Sequence, residues 1–279
     1  MILFPPAKIN IGLYVTSVRS DGYHDIETLF HTVPLHDVLE MVPASSGARL
    51  PEVVAGCRFG VEGQVPDGDP AENLCVRAWR LLAEDFDLPP VEMLLLKHLP
   101  AGAGLGGGSA DATYTLLGLN RLFSLGLSRK QLEAYAARLG SDCAFFVTGA
   151  PSVGTGRGEI LAPAGVSLKG WYLVLVVPPV HVRTAEAYRN VLLRHPSEPL
   201  GTLLGRPVSQ WQQTVENDFE KSVFPTHPEI ASVKETLIRH GAVYASMSGS
   251  GSSVYGLFES EPDVTGWFTG QRMVSVVRF

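Results

Sequence analysis

The residues whose types and spacing could do chemistry gather in one stretch, Met93 to Asn120, which reads MLLLKHLPAGAGLGGGSADATYTLLGLN. An apolar run of strand length, Met93 to Leu96, leads to Pro100, and a glycine-rich segment follows from Ala101 to Gly108. Ser109 stands where a helix N-cap is expected, with Ala112, Leu116, Leu119 and Phe123 behind it at helical spacing. Glycines let a backbone approach a phosphate and turn its N–H groups inward, and a helix N-terminus adds partial positive charge. Strand, glycine loop and helix start therefore predict a nucleotide-phosphate site.

Three further places carry groups that such a site could use. In Lys8 to Val15 (KINIGLYV), Ile9, Ile11, Leu13 and Val15 alternate with Lys8, Asn10, Gly12 and Tyr14. Lys8 and Asn10 thus share one face of a strand, with a glycine beside them that leaves room for a ligand. The same pattern equally describes an edge strand with a solvated polar face. Tyr23-His24, just past the Asp21-Gly22 turn, could stack on and hydrogen-bond a base, or be ordinary strand-end residues. Asp142, in SDCAFFVTG, could face the loop or simply cap a short apolar helix.

The elements that must position these groups follow from periodicity. Asn73 to Phe86 reads as an amphipathic helix, and Ser128 with Gln131 forms a capping box for a helix over Arg129 to Leu139, ended by Gly140. Residues 44 to 71 read as loops with short strands near Val53 and Cys57 to Val61. A turn-rich segment at 151–158 marks the approach to a domain boundary. Beyond it come a buried strand over Trp171 to Val177, a helix over Thr184 to Leu193 capped by Thr184, and a helix over His227 to His240. Val243 to Met247, a Gly/Ser loop at Ser248 to Ser253, and Val254 to Phe258 read as strand, loop, strand. Met273 to Phe279 is the last strand. A chain of 279 residues is long enough for two domains, expected at 1–158 and 159–279.

Composition narrows the partners. A net charge of −6 argues against general nucleic-acid binding, so an anionic nucleotide must be held by local backbone donors and a few lysines. Cys57, Cys75 and Cys143 are widely spaced and odd in number, which suggests neither zinc nor a disulfide framework and makes a reducing cytoplasm the expected location. The start, MILFPPAK, is too short in apolar residues for a signal peptide, and no run is long enough to span a bilayer.

Several phosphate-loop types can be set aside. Gly102-x-Gly104-x-x-Gly107 formally matches the dinucleotide fingerprint. Yet about 20 residues on, where a ribose-binding acid should end a strand, lies a helix-to-helix connection with no acid. There is no GxxxxGK[ST], and no HRD or DFG signal. PxxxGLGGGSADA, together with Pro6-Ala-Lys-Ile-Asn-Ile-Gly-Leu13 and Ser248 to Ser253, resembles the three-motif pattern of the GHMP kinase superfamily. That group includes galactokinase and the homoserine, mevalonate and phosphomevalonate kinases. Asp21-Gly-Tyr-His24, Gly140-Ser-Asp142 and Asn217-Asp-Phe-Glu220 extend the resemblance over nearly the whole chain, in the family's order.

The resemblance implies an α+β, two-domain GHMP kinase fold, with an N-terminal ribosomal-protein-S5-like domain and a C-terminal ferredoxin-like domain. It implies ATP and Mg²⁺ as cofactors and, through DGYH, a cytidine-diphosphate-linked sugar alcohol as the small-molecule substrate, with no nucleic acid or membrane partner. ATP would lie over Pro100, Ala101, Gly102, Ala103, Gly104, Leu105, Gly106, Gly107, Gly108, Ser109 and Ala110. Asp142 matches the catalytic acid and Lys8 the catalytic lysine. Asn10, Tyr23, His24, Thr184 and Tyr188 match substrate-side positions, with Tyr23 and Tyr188 as stackers and His24 reading the cytosine edge. No metal ligand is assigned. Two departures stand out: Ala110 where a serine is commoner, and Cys143-Ala144 where Val-Pro is commoner. Kinases of homoserine or mevalonate type are the nearest alternative, but their substrates offer no cytosine to Tyr23 and His24. Retention of both Lys8 and Asp142 speaks against a catalytically silent nucleotide-binding module.

Overall fold

The computed structural model describes every residue except Ser46, Ala48, Pro66 and Asp67. The chain forms two compact units, each assembled from several segments. The first comprises Met1–Ala7, Leu35–Ala101 and Gly106–Gly149. Its five-stranded sheet runs in the order Ile2–Leu3, Val38–Pro43, Val91–Lys97, Cys57–Gly63, Glu52–Val54. The Val91–Lys97 strand, slightly longer than the apolar run suggested, pairs antiparallel with Val38–Pro43 and parallel with Cys57–Gly63. A parallel pair needs a crossover, and the helix Leu74–Ala83 lies within it in sequence, its N-terminus closed by the Asn73 side chain accepting from the Cys75 N–H. Helices Gly107–Leu122 and Arg129–Leu139 complete the layer, burying Ala112, Leu116, Leu119, Leu132 and Ala136 in a core shared with Leu39, Met93 and Leu95 of the sheet. The Ser128–Gln131 capping box forms as expected.

Local chemistry moves two boundaries in this unit. The helix after the glycine loop starts at Gly107, because Gly106 adopts a left-handed conformation (φ 68°) and serves as its N-cap. Ser109 is therefore inside the first turn and caps nothing. Asp142 does not cap the short 3₁₀ turn Ala144–Val147 either; Cys143 occupies that position. The reading of 44–71 as loop and short strand includes the four positions outside the described residues. Around them, the strands Glu52–Val54 and Cys57–Gly63 form.

The second unit comprises Lys8–Pro34, Gly102–Leu105 and Ala150–Phe279. One four-stranded sheet, most of whose residues fall here, runs Pro6–Val18, His24–His36, Ser152–Thr155, Ile160–Pro163. The segment 151–158 is thus part of an antiparallel hairpin rather than a plain connection, with Gly156 and Gly158 supplying the positive φ its turn requires. The other sheet runs Tyr244–Met247, Val254–Phe258, Tyr172–Val177, Met273–Arg278, all antiparallel, and packs its apolar face with Ile230, Val233 and Leu237 of the helix Pro228–Arg239. The helix Thr184–Arg189 is shorter than predicted and begins after Arg183, so Thr184 is its first residue and not its cap. The helix Asp218–Val223 is capped by Asn217, whose side chain accepts from the Phe219 N–H.

The Pro6–Val18 strand corrects the solvated-edge reading. It closes its sheet, yet Lys8 and Asn10 are only 3% and 2% exposed. Leu13 bridges to Asn217, and a side chain at Gly12 (φ 66°) would run into Val215 and Leu200. Burying an ammonium and an amide is costly without partners, so the sequence around them must supply hydrogen bonds.

No helix among the described residues is long and apolar enough to cross a membrane. All three cysteines are free and fully buried, and burial pushes the Cys57 thiol up to about 12 and the Cys143 thiol up to about 11. Since the thiolate is the reactive form, a disulfide-exchange reagent should label none of the three in the native protein and all three after denaturation. Rapid labelling of the native chain would contradict this packing.

Candidate active site

The glycine loop is built on an alternation. Gly102, Gly104 and Gly106 have φ of 66°, 79° and 68°, while Ala103 and Leu105 between them are buried. Alternating left- and right-handed residues curl a backbone so that its N–H groups converge, the geometry of an anion nest. Gly104 has a second reason to lack a side chain, since a Cβ there would overlap the Ser248 carbonyl oxygen.

The loop's carbonyls are taken up by the protein. The Ala103 carbonyl accepts from the Ser253 N–H at 3.0 Å and from the Ser253 hydroxyl. The Gly104 carbonyl accepts from the Ser248 hydroxyl at 2.9 Å, and the Leu105 carbonyl from the Lys8 N–H at 2.9 Å. With these oxygens engaged, the groups the loop offers an anion are its amides.

The same hydroxyls reach the Lys8 strand. Ser248 Oγ accepts from the Asn10 N–H at 3.2 Å, and Tyr255 donates its hydroxyl to the Asn10 carbonyl at 2.8 Å. The Lys8 ammonium donates to Asn10 Oδ1 at 2.5 Å and lies 5.5 Å from the centre of the Phe30 ring. Asn10 Nδ2 donates to Thr28 Oγ1 at 3.0 Å, and Thr28 in turn donates to the Gly12 carbonyl at 2.6 Å. Asn10 is therefore oriented at three of its polar groups, and it fixes the lysine head. Asn217 Nδ2 donates to the Met247 and Gly249 carbonyls at 2.8 and 2.9 Å, setting the course of the Gly/Ser loop. A Cβ on Gly249 would come within 3.6 Å of Lys8 Nζ. Residues distant in sequence (Lys8, Asn10, Ala103 to Leu105, Ser248 and Ser253) thus form one hydrogen-bonded network.

Asp142 is half-buried, and its position is set through the next residue. The Cys143 N–H donates to the Gly140 carbonyl at 3.1 Å, and the Cys143 carbonyl accepts from Thr113 Oγ1 at 2.8 Å. The same Thr113 hydroxyl bonds the Ser109 carbonyl at 2.8 Å. One threonine therefore ties the Asp142 segment to the first turn of the helix that follows the glycine loop, where Gly107, Gly108, Ser109 and Ala110 present the helix N-terminus. Thr113 carried no signal in the sequence, because a threonine inside an apolar helix reads as filler.

The substrate-side positions divide into two groups. His24 stacks on Tyr188 with ring centres 4.5 Å apart, and Tyr188 meets Phe219 edge-on at 4.7 Å. Thr184 is exposed, one turn before Tyr188 on its helix and on the same face. Tyr23 is 56% exposed, its N–H bonded to Asp21 Oδ1 and its ring 5.2 Å from the Arg157 guanidinium. Arg157 lies in the hairpin segment first read as a domain approach. Among the described residues, no group of three or more His, Cys, Asp or Glu side chains could hold a metal ion by itself.

Comparison with known proteins fits this arrangement. The GHMP kinases N terminal domain family matches residues 73–150, and the GHMP kinases C terminal family matches residues 200–265. The chain is 49% identical over 271 residues to 4-diphosphocytidyl-2-C-methyl-D-erythritol kinase of Bacteroides thetaiotaomicron, covering 96% of this chain and 97% of the relative. A crystal structure of 4-(cytidine 5'-diphospho)-2C-methyl-D-erythritol kinase superposes with a TM-score of 0.78 at 34% identity, over 94% of this chain and 91% of that one. Homoserine kinase from Cytophaga hutchinsonii shares the fold, with a TM-score of 0.63 at 20% identity over 91% of this chain and 85% of that one. The expected two-domain α+β architecture holds, and the chain belongs to the GHMP kinase family.

Proposed function

We propose that this chain is an ATP-dependent kinase that phosphorylates the 2-hydroxyl of 4-diphosphocytidyl-2-C-methyl-D-erythritol, in the non-mevalonate route to isoprenoid precursors, working in the cytoplasm. The observation that carries this reading is the network joining Lys8 and Asn10 to the glycine loop and to Ser248 and Ser253. Relatives near half identity over almost their full length bear the name of this kinase. The family domains are read as 1–158 and 159–279; the matched stretches fall on either side of that boundary.

Phosphoryl transfer asks a protein mainly for positioning and for neutralising charge on the transferring group. The amides of Gly102 to Ser109 and the helix N-terminus behind them hold the ATP phosphates, with Pro100, Ala101 and Ala110 flanking. Asp142 takes the proton of the acceptor hydroxyl as that oxygen attacks the γ-phosphorus, and the β–γ bridging oxygen leaves with ADP. Lys8, its head fixed by Asn10, balances charge on the phosphoryl oxygens. Tyr23 stacks on the cytosine, His24 reads its edge, and Tyr188 and Thr184 complete the acceptor side with Asn10. Mg²⁺ is a hard cation that keeps several waters and leans on substrate phosphates. Mg²⁺ bound to the ATP phosphates would supply charge neutralisation there.

ADP release across a panel of alcohols, with and without a CDP group, tests the assignment. Turnover should need the CDP-linked acceptor, and equal turnover of homoserine or mevalonate would refute it. Asp142→Ala should lower kcat by about 10²–10⁴-fold with little change in ATP affinity, the range for a lost general base; a variant with wild-type turnover would remove Asp142 from the mechanism. Tyr23→Ala should raise KM for the cytidylated acceptor and spare KM for ATP, as steady-state kinetics with each substrate varied in turn will show.

A further inference from the structure

The most heavily buried charges in the first unit belong to no role assigned above. Asp37, Lys97 and Asp111 are 0%, 4% and 2% exposed. The Lys97 ammonium donates to Asp37 Oδ2 and, at 2.8 Å, to Asp111 Oδ2. Asp37 Oδ1 accepts from the His98 and Leu99 N–H groups at 2.6 and 2.8 Å. Asp111 Oδ1 is buried with no hydrogen-bond partner.

Such a cluster is a poor way to gain stability. Desolvating three charges costs several kcal/mol per ion, often as much as their attraction returns. Here two carboxylates also share one ammonium, and one carboxylate oxygen is buried without a hydrogen bond, which adds to the cost. What the cluster supplies is geometry. Lys97 ends the Val91–Lys97 strand, His98 and Leu99 lead into Pro100, and Asp111 lies near the start of the helix Gly107–Leu122. Asp37 holds the peptide leading into the glycine loop, and Lys97 joins that same carboxylate to the helix leading out. Gly107 packs directly on this joint, since a Cβ there would come within 3.1 Å of Lys97 Nζ and 3.3 Å of Leu99 Cβ.

We propose that Asp37, Lys97 and Asp111 are positioning residues for ATP, setting the separation and direction of the two ends of the glycine loop. The inference rests on the reading that residues 100–110 hold the ATP phosphates. Lys97 is enclosed and doubly bonded to carboxylates, so it acts through the loop and not by touching nucleotide. Burial pushes Asp111 up to about 7, with Asp37 adding to the rise and Lys97 opposing it.

The test is steady-state kinetics of the full-length enzyme with ATP and the CDP-linked acceptor varied in turn, beside a thermal melt of each variant. Lys97→Met and Asp111→Ala should raise KM for ATP about tenfold or more, the scale of a lost charge-assisted hydrogen bond, and leave KM for the acceptor within about twofold. Asp111→Asn, which keeps an acceptor for Lys97, should stay within about threefold of the parent for both substrates. Equal shifts in both KM values, or a lowered melting temperature with both KM values unchanged, would overturn the proposal. If Lys97→Met does not fold, the two Asp111 variants decide. Gly106→Ala, in the loop itself, separates the two readings. If it raises KM for ATP while Asp111→Ala does not, the positioning role is wrong and the loop assignment stands; if neither does, both are wrong.

Discussion

Everything in this structure turns on binding a polyanion with a chain that is itself anionic. At a net charge of −6, the protein has no overall positive field to draw a triphosphate, so local groups, backbone dipoles among them, must serve. Backbone amides act as an anion site only when they converge and are held in place, because an unanchored glycine loop loses in ordering entropy what it gains in contacts. The structure meets that constraint by hydrogen-bonding three successive carbonyls of the loop, Ala103, Gly104 and Leu105, to protein donors. The serines of the late Gly/Ser loop are thereby explained: Ser248 and Ser253 hold the carbonyls of the glycine loop.

The lysine strand obeys the same logic. Lys8 donates to the neutral amide of Asn10, itself held by Thr28, Ser248 and Tyr255. At Lys97 the ammonium is paired with two buried carboxylates, and its charge is consumed internally.

Much of this was legible in the sequence, for identifiable reasons. Periodicity and capping chemistry found the strands and helices because their signals are local: the Ser128 box, Asn73, and the alternation in KINIGLYV. Motif chemistry pointed to the GHMP kinase family, which the comparisons show. Three things stayed hidden. The helix start was misplaced because serine is the commoner cap, whereas a left-handed Gly106 did the work here. The burial of Lys8 and Asn10 could not be read, since alternation looks alike whether a polar face meets water or a hydrogen-bond network. Asp37, Thr113 and Arg157 were invisible because each acts on a residue far along the chain, and no local pattern encodes that partnership.

The alternation of left-handed glycines with buried Ala103 and Leu105 has an evolutionary meaning. The segment belongs to no strand, yet its tolerance of substitution should have a strand's period of two: alternate positions are closed to any side chain by backbone conformation, and those between are constrained only by fit to the core. Such a loop can vary in hydrophobic content without altering its amide geometry. A lineage can thus retune the packing beneath the loop while the course of its backbone stays the same.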